Sequence, residues 1–405
     1  MAQARRLIWL YYAFQITVTL MLWMPIFYEY QKQMGLSDGQ ILDIQSLYYV
    51  SFCLFELPTG FIADRLGHRG CMRVGAALHV VTHALPVIWP TYWGFVCHWL
   101  LLALSRSLIS GAASAYVYNQ LEQLGQVELY KETEGRGRAW SLAVKVIGFT
   151  LTDPLTQINV SLPYVASALS AVVSTVIAWR FPPALRHLQV KAEPPRIGRA
   201  VALLLGHPKM VVVMLQGVAL FTLTRIVQVN VFQPLLLAQG FVVSQFGRIL
   251  AVNTLFEALG SAYPKIFRRL FSDLPMVFLL TLAMGVCCWG LARGGSWNCL
   301  IWLNVFAVVT GLAYPIQRQV MNEHIPDSDY RASLLSAESL VDRAVCAWVA
   351  HALGVALTQG AMPAFLQGSA MASLASCVLL WPLYALVPRR LASATAAEAS
   401  KTPAP

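Results

Sequence analysis

The sequence predicts an all-α membrane protein in which twelve transmembrane helices form two six-helix pseudo-repeated halves. Hydrophobic residues make up 57% of the 405 residues and charged residues only 12%, too little charge to cover a water-soluble protein of this length. Apolar runs of about 20 residues, the length that crosses a bilayer, recur along nearly the whole chain. In lipid, a helix forms the hydrogen bonds of its backbone N–H and C=O groups within its own segment. The runs are therefore interpreted as spans of a helical bundle.

The spans are bounded by charged residues, glycine or proline. Six lie in an N-terminal half at residues 1–181, near 8–28, 39–62, 73–90, 93–120, 139–159 and 162–181. Residues 182–208, rich in proline and basic side chains, are predicted to form a cytoplasmic linker. Six more spans lie in a C-terminal half at residues 209–387, near 209–231, 244–267, 275–293, 297–318, 331–358 and 363–387, before a cytoplasmic tail at residues 388–405.

An internal repeat supports the two halves. Leu54-Phe55-Glu56 near the end of the second span recurs as Leu255-Phe256-Glu257 near the end of the eighth, and a basic loop follows both. The separation of about half a chain is that expected for a membrane protein built from two parallel repeats.

The basic residues orient the spans. With twelve spans and both termini in the cytoplasm, most Lys and Arg residues of the loops fall on the cytoplasmic side. The net charge of +10 is therefore attributed to topology, and nucleic acid is not expected as a partner. The eight cysteines lack the spacing of a zinc site, so we expect neither a metal nor another cofactor.

The stretch from Leu54 to Arg73, LFELPTGFIADRLGHRGCMR, contains a Gly-x-x-x-Asp-Arg-x-Gly pattern. It resembles the signature loop between the second and third helices of the major facilitator superfamily. A second stretch, from Gly311 to Arg343, resembles helices 10 and 11 of bacterial small-molecule carriers of that family. The resemblance implies alternating access in a bacterial inner membrane, by a monomer, with these gating residues: Gly60, Asp64, Arg65, Gly67, Arg69 and Arg331.

Two arginines are the main candidates for binding a substrate. Charged side chains within a span are costly and call for an explanation. The resemblance implies that spans 1, 4, 7 and 10 line the central cavity, so that Arg106 and Arg225 face a ligand from opposite halves. A guanidinium binds carboxylate or phosphate with two hydrogen bonds, which favours an acidic or zwitterionic substrate. The alternative is that Asp153, Asp342 or a carbonyl group neutralises both arginines, and that the arginines then only hold helices together.

Polar and aromatic residues of spans 1 and 4 are further candidates. They could stack on a ligand and hydrogen-bond its edge, although an aromatic belt at the membrane surface explains the rings equally well. The candidates are Gln15, Trp23, Tyr118 and Asn119.

Three carboxylates are candidates for carrying a coupled proton. Asp153 precedes Pro154, which opens the helical hydrogen-bond pattern around it. The alternative for Asp153 is a structural ion pair with Lys145 or Arg106. Glu56 and Glu257 occupy equivalent positions in the two halves, where stabilisation of a gate is the favoured role.

The sequence thus predicts a secondary transporter for a small acidic or zwitterionic molecule, such as a drug, a siderophore or another natural product, with no catalytic residues. Proton-coupled export is favoured, but the glycines typical of antiporters are missing after Pro154, so proton-coupled uptake of a siderophore or nutrient is the alternative. An enzyme acting on lipid ranks lower because no nucleophile and base are visible. A sensor without flux is also open.

Overall fold

The computed structural model describes residues 2–183, 207–262, 272–325 and 331–386, and the regular elements within these ranges are helices. The first half contains α1 (Ala2–Thr19), α2 (Phe27–Gln33), α3 (Asp38–Ile88), α4 (Tyr92–Gln123), α5 (Tyr130–Ile158) and α6 (Leu162–Arg180). The second half contains α7 (Pro208–Arg225), α8 (Phe232–Ala238), α9 (Phe246–Ala262), α10 (Asp273–Leu291), α11 (Ser296–His324), α12 (Arg331–Thr358) and α13 (Met362–Leu386). Most of the predicted linker and the whole predicted tail lie outside the described residues.

Over its described residues, each of the twelve predicted spans falls on a helical segment, except the first, which falls on two. Within the described ranges, 8 helical segments are long and apolar enough to cross a membrane. The remaining predicted spans lack the length or the hydropathy needed to cross a membrane. For example, α1 ends at Thr19, and the first part of α3 and the whole of α5 carry several charged residues.

The first span is broken, where the sequence predicted a continuous helix. α1 ends at Thr19 and α2 begins at Phe27, with Pro25 between them. Proline lacks the N–H that a continuing helix requires. The hydroxyls of Thr17 and Thr19 donate to the carbonyls of Ala13 (2.8 Å) and Gln15 (2.6 Å), so they hydrogen-bond the last turns of α1 internally.

The second and third spans are two helical segments, as predicted, and a sharp bend joins them in place of a longer loop. α3 runs from Asp38 to Ile88 and bends at Gly67, whose φ of 69° and ψ of 159° are not helical. A side chain would strain this backbone conformation, whereas glycine adopts it readily. The predicted loop glycine is therefore a sharp bend between two helical arms.

The seventh span changes its winding in the middle. Between α7 and α8, residues Ile226–Val231 form a π-helix. Such segments are rare and frequently occur at functional sites. The segment joins two parts of one span, and both parts face the interior of the bundle.

Glycines bring α9 and α11 together in the second half. A Cβ atom at Gly311 would lie 2.0 Å from the carbonyl oxygen of Glu257, and one at Gly260 would lie 2.3 Å from that of Val308. Such close backbone approach is typical of membrane helices, which pack through small residues. The two halves themselves meet where α3 contacts α12 and where α5 contacts α9.

Candidate functional site

The halves are joined by hydrogen bonds at the end of the bundle opposite the N-terminus, hereafter the far end. Oδ1 of Asp153, near the end of α5, accepts from the backbone N–H of Gly247 (2.8 Å), and Oδ2 accepts from that of Arg248 (3.2 Å). Both amides belong to the first turn of α9, where backbone N–H groups lack helical partners and favour a negative charge. Asp153 therefore caps a helix of the other half.

Two further contacts join the halves at the far end. Gln233 of α8 accepts from the backbone N–H of Tyr28 (2.9 Å) and donates to the carbonyl of Met24 (3.0 Å). Asp43 of α3 lies 2.7 Å from Nδ1 of His351 of α12. The structure thus represents a conformation in which the far end is closed.

A cavity of about 150 Å³ lies between the halves, next to these contacts. Helices of both halves line it, as alternating access requires of a substrate site. Its lining combines aromatic rings, amides and two opposite charges, namely Met24, Phe27, Leu142, Lys145, Phe149, Gln228, Val229, Phe232, Gln233, Leu250, Asn253, Thr254 and Glu257.

The two charges of the cavity come from different halves. Lys145 lies on α5, 5.4 Å from the ring centroid of Phe149, and Glu257 lies on α9. The two groups attract each other electrostatically across the cavity, and Gln228 donates a hydrogen bond of 3.3 Å to Oε2 of Glu257. The cavity therefore offers a cation and a carboxylate to one ligand.

Arg106 is exposed in the middle of α4. It shares a helical stripe with Ser110, Ser114 and Tyr118, and its charge acts on Lys145. Among the described residues, none forms an ion pair or hydrogen bond with its guanidinium. An exposed mid-span charge is expected to face water between the halves rather than lipid, so its predicted role in binding substrate stays open to test.

Arg225 is paired within the second half. Its Nε and Nη2 atoms lie 3.1 and 2.9 Å from Oδ2 of Asp342 on α12. The side chain of Asp342 is 3% exposed and that of Arg225 is 34% exposed. This is the pairing that the sequence offered as the alternative to binding substrate. Arg225 can reach a ligand only from its exposed side or after leaving Asp342.

A second pair of the same kind lies one turn away. Nη1 of Arg318, on α11, lies 2.7 Å from Oε2 of Glu338 on α12. Glu338 is 1% exposed and Arg318 is 31% exposed. The guanidinium also lies 5.1 Å from the ring centroid of Phe221 and 5.7 Å from that of Tyr314.

Trp23 does not line the cavity in this conformation, and its role in binding substrate stays a prediction. Its side chain is fully buried in the first half, stacks on Tyr164 at 5.4 Å between centroids, and donates to Nδ1 of His83 (3.1 Å). The aromatic pattern in the sequence did not distinguish this packed interior from a ligand surface. In this conformation a substrate cannot reach the ring.

The other predicted binding residues lie toward the opposite end of the cavity helices. Gln15 donates to the hydroxyl of Tyr11 (2.6 Å), which in turn donates to Glu134 (2.6 Å). Tyr118 is exposed and lies 5.2 Å from the ring of Tyr130. Asn119 is half-buried. Their roles stay predictions.

The predicted gating residues are described only in part. The side chains of Asp64 and Arg331 and the surroundings of Gly60 lie outside what the structure describes. Arg65 is exposed and Arg69 is half-buried on either side of the bend at Gly67. Glu56 is half-buried and attracts Arg343, which lies 3.6 Å from the ring centroid of Phe52.

Sequence reasoning missed two cations, namely Lys145, which lines the cavity, and Arg318, which pairs with Glu338. Lys145 was considered only as a partner of Asp153, and Arg318 was not considered. Their signal was present as charges within predicted apolar spans, but their partners lie far along the chain. Within the described ranges, no three His, Cys, Asp or Glu residues are grouped so as to hold a metal ion.

Two helical halves around a charged central cavity are the architecture of a membrane transporter. Residues 8–341 match the family model described as Major Facilitator Superfamily, and the chain belongs to that family. No curated protein matches it.

Solved structures with the same fold include transporters of several kinds. A mutant of the nucleoside transporter NupG aligns with a TM-score of 0.80 at 12% identity, covering 94% of this chain and 99% of that one. The POT family transporter PepTSo gives a TM-score of 0.72 at 13% identity, covering 94% and 97%. A D-xylose-proton symporter gives 0.71 at 12% identity, covering 95% and 98%. At these identities the likeness concerns the fold alone.

Proposed function

We propose that this chain is a proton-coupled secondary transporter for a small zwitterionic organic molecule with an aromatic or apolar part. The observation that carries the proposal is the cavity between the halves, which holds Lys145 from one half and Glu257 from the other. A zwitterion could bridge them, with its carboxylate on the lysine and its amine on the glutamate. Ligands that join both halves are the ones that can favour a change between conformations.

The remaining lining suits the rest of such a molecule. The rings of Phe27, Phe149 and Phe232 offer flat apolar surfaces, and Gln228 and Asn253 offer amide groups for hydrogen bonds. Arg106 supplies a further positive charge near Lys145, which would strengthen binding of the anionic group. A purely cationic molecule would meet repulsion from both side chains.

We extend the proposal to the location and direction of transport. We propose that both termini lie in the cytoplasm of a bacterium, so that the closed far end faces outward. Export of a drug, siderophore or other natural product is favoured by the resemblance to exporters, and proton-coupled uptake is the second candidate. We treat the protein as a monomer in the lipid bilayer.

The substrate class is tested by comparing three related probes on the purified protein. L-phenylalanine carries both charges, phenylalaninamide lacks the carboxylate, and 3-phenylpropionate lacks the amine. We expect L-phenylalanine to bind more tightly than either analogue in calorimetry. Equal binding of all three, or preference for the amide, would overturn the zwitterion proposal.

Flux is tested in proteoliposomes with radiolabelled L-phenylalanine and an imposed pH gradient of either sign. Movement driven by the gradient is expected, and its direction relative to the protons separates uptake from export. Specific binding without any flux would support the sensor alternative. Protein-free vesicles are the control.

A further inference from the structure

The unwound segment of the first span, residues 20–26, is held by side chains of the same half. The backbone N–H of Leu22 donates to Oγ of Ser167 on α6 (2.9 Å), and its carbonyl oxygen accepts from Oγ1 of Thr152 on α5 (2.8 Å). Backbone that leaves the helical pattern inside a membrane needs such partners for its N–H and C=O groups. Both backbone groups of Leu22 are therefore satisfied without a helix.

Trp23, the next residue, is fixed by the imidazole of His83 on α3. Nε1 of the indole donates to Nδ1 of His83 (3.1 Å). Because an indole N–H can only donate, Nδ1 is the acceptor and the imidazole carries its proton on Nε2. Both side chains are almost fully buried. The hydrogen bond therefore determines the direction in which the indole points within the packed interior of the first half.

Met24, the third residue of this series, contacts the other half. Its carbonyl oxygen accepts from Nε2 of Gln233 on α8 (3.0 Å), and it lines the cavity together with Phe27. The backbone N–H of Ile26 donates to the carbonyl of Trp23 (3.0 Å), so Met24 lies within a turn that begins at Trp23. A shift of the indole would therefore move a residue that belongs both to the cavity and to the closed far end.

We propose that His83 is a positioning residue for transport. It does not line the cavity, and it acts through Trp23, by holding the turn that presents Met24 to the cavity and to Gln233. Loss of the imidazole acceptor should consequently be felt at two places, the cavity and the far end. The part of this inference that concerns a ligand rests on the proposed function, whereas the part that concerns the far end does not.

A neighbouring imidazole allows positioning to be separated from simple packing. His98 on α4 is as deeply buried as His83, and its ring lies 5.0 Å from that of Trp23. Its Nδ1, however, lies 2.6 Å from the carbonyl oxygen of Thr82, and among the described residues Trp23 forms its side-chain hydrogen bond with His83. Substitution of His98 therefore removes comparable packing and leaves the bond to the indole in place.

The test measures backbone hydrogen exchange by mass spectrometry on the purified protein in lipid nanodiscs, without substrate. The reporters are peptides that contain the amides of Tyr28 and Gly247, because the partner of each amide lies in the other half. His83→Leu removes the acceptor and should accelerate exchange at both reporters roughly twofold to tenfold, the loss expected for one neutral hydrogen bond. His83→Asn, which offers Oδ1 in place of Nδ1, should restore slow exchange.

His98→Leu is the matched control for this test. It should lower the melting temperature as His83→Leu does, but leave exchange at both reporters unchanged. Equal acceleration in the two variants, or exchange at the wild-type rate in His83→Leu, would overturn the positioning role. Trp23→Phe removes the N–H donor and keeps an aromatic ring, so it carries the same expectation if His83→Leu does not fold. Combined with His83→Leu, it should cause no further acceleration, because the two changes remove the same bond.

Binding of L-phenylalanine tests the link to the cavity. His83→Leu should weaken binding roughly twofold to tenfold in calorimetry, and His83→Asn should recover it. Unchanged affinity in His83→Leu would overturn the link to the cavity. Failure of the wild type to bind L-phenylalanine would refute the substrate class instead, and the exchange measurement, which uses no substrate, decides the link to the far end by itself.

Discussion

The carboxylate of Asp153 accepts a hydrogen bond of 2.8 Å from the backbone N–H of Gly247, at the first turn of a helix in the other half. A Cβ atom at Gly247 would lie 2.2 Å from the carbonyl oxygen of Phe149, so the absence of a side chain allows this approach. The contact makes one acidic side chain part of the closure of the far end.

Asp153→Asn should destabilise the closed far end without abolishing proton coupling. Charge-assisted hydrogen bonds are worth about 1.5–3 kcal/mol each, and the amide replaces them only in part. We expect a lower melting temperature together with retained pH-driven accumulation. Asp43→Asn, which alters an exposed contact, is the control and should change stability by less than about 1 kcal/mol. Loss of accumulation at an unchanged melting temperature would restore Asp153 as the proton carrier that the sequence suggested.

Arg106 and Arg225 should respond differently to the same substitution. Arg225→Gln leaves Asp342 buried without its cation, which typically costs about 3–5 kcal/mol of stability, and Arg225→Gln/Asp342→Asn should recover part of it. Arg106→Gln breaks no pair, so its melting temperature should stay near that of the wild type. Binding of 3-phenylpropionate to Arg106→Gln should weaken roughly tenfold to a hundredfold, in line with loss of a charge-assisted hydrogen bond. Unchanged binding would remove Arg106 from the site.

Lys145 and Glu257 should each select one end of a zwitterion. Lys145→Gln is expected to weaken 3-phenylpropionate roughly tenfold to a hundredfold and to spare phenylalaninamide, whereas Glu257→Gln should do the reverse. Lys145→Arg keeps the charge and is the matched control. Calorimetry with both probes on all variants measures this. Equal losses for both probes in either variant would indicate a role in structure rather than in recognition.

Gly311→Ala should lower stability more than an alanine elsewhere on a membrane helix. The added methyl group would meet the backbone of α9 at Glu257, and overpacking of this kind costs about 1–3 kcal/mol or more. Gly368→Ala is the control, because nothing lies within 4 Å of its position on α13. It should be neutral or slightly stabilising. Thermal unfolding in detergent measures both, and equal melting temperatures would contradict the close packing of α9 and α11.

The fold was predictable because its strongest signal is local. Lipid requires long apolar helices, and all but the first of the predicted spans match a continuous helical segment. The interruptions were not predictable at the same level. Pro25 and Gly67 were visible in the sequence, but whether such residues end a helix, bend it or start a loop depends on neighbouring helices.

The presence of a polar site inside the bundle was predictable from the sequence, but most of the residues that form it were not. Charges within spans pointed to a polar interior, and one of the predicted residues, Glu257, lines the cavity between the halves. The packing of helices determines which charged residues lie close together. Lys145 and Glu257 line the same cavity although they are more than a hundred positions apart and belong to different halves. The aromatic ring of Trp23 suits a packed interior as well as a ligand, and composition cannot separate the two.

The π-helical winding of Ile226–Val231 determines in which direction the side chains on either side of it point around the axis of the seventh span. Each residue of an α-helix turns the chain by about 100°, so the wider turn shifts everything beyond it relative to an uninterrupted helix. Arg225 precedes this segment and points to α12, and Gln233 follows it and points to the first half. The seventh span thereby contacts α12 on one side of the segment and the first half on the other. Deleting one residue of the segment would rotate Gln233 relative to Arg225 around the helix axis. The contact of Gln233 with the first half and the pair of Arg225 with Asp342 could then not form together.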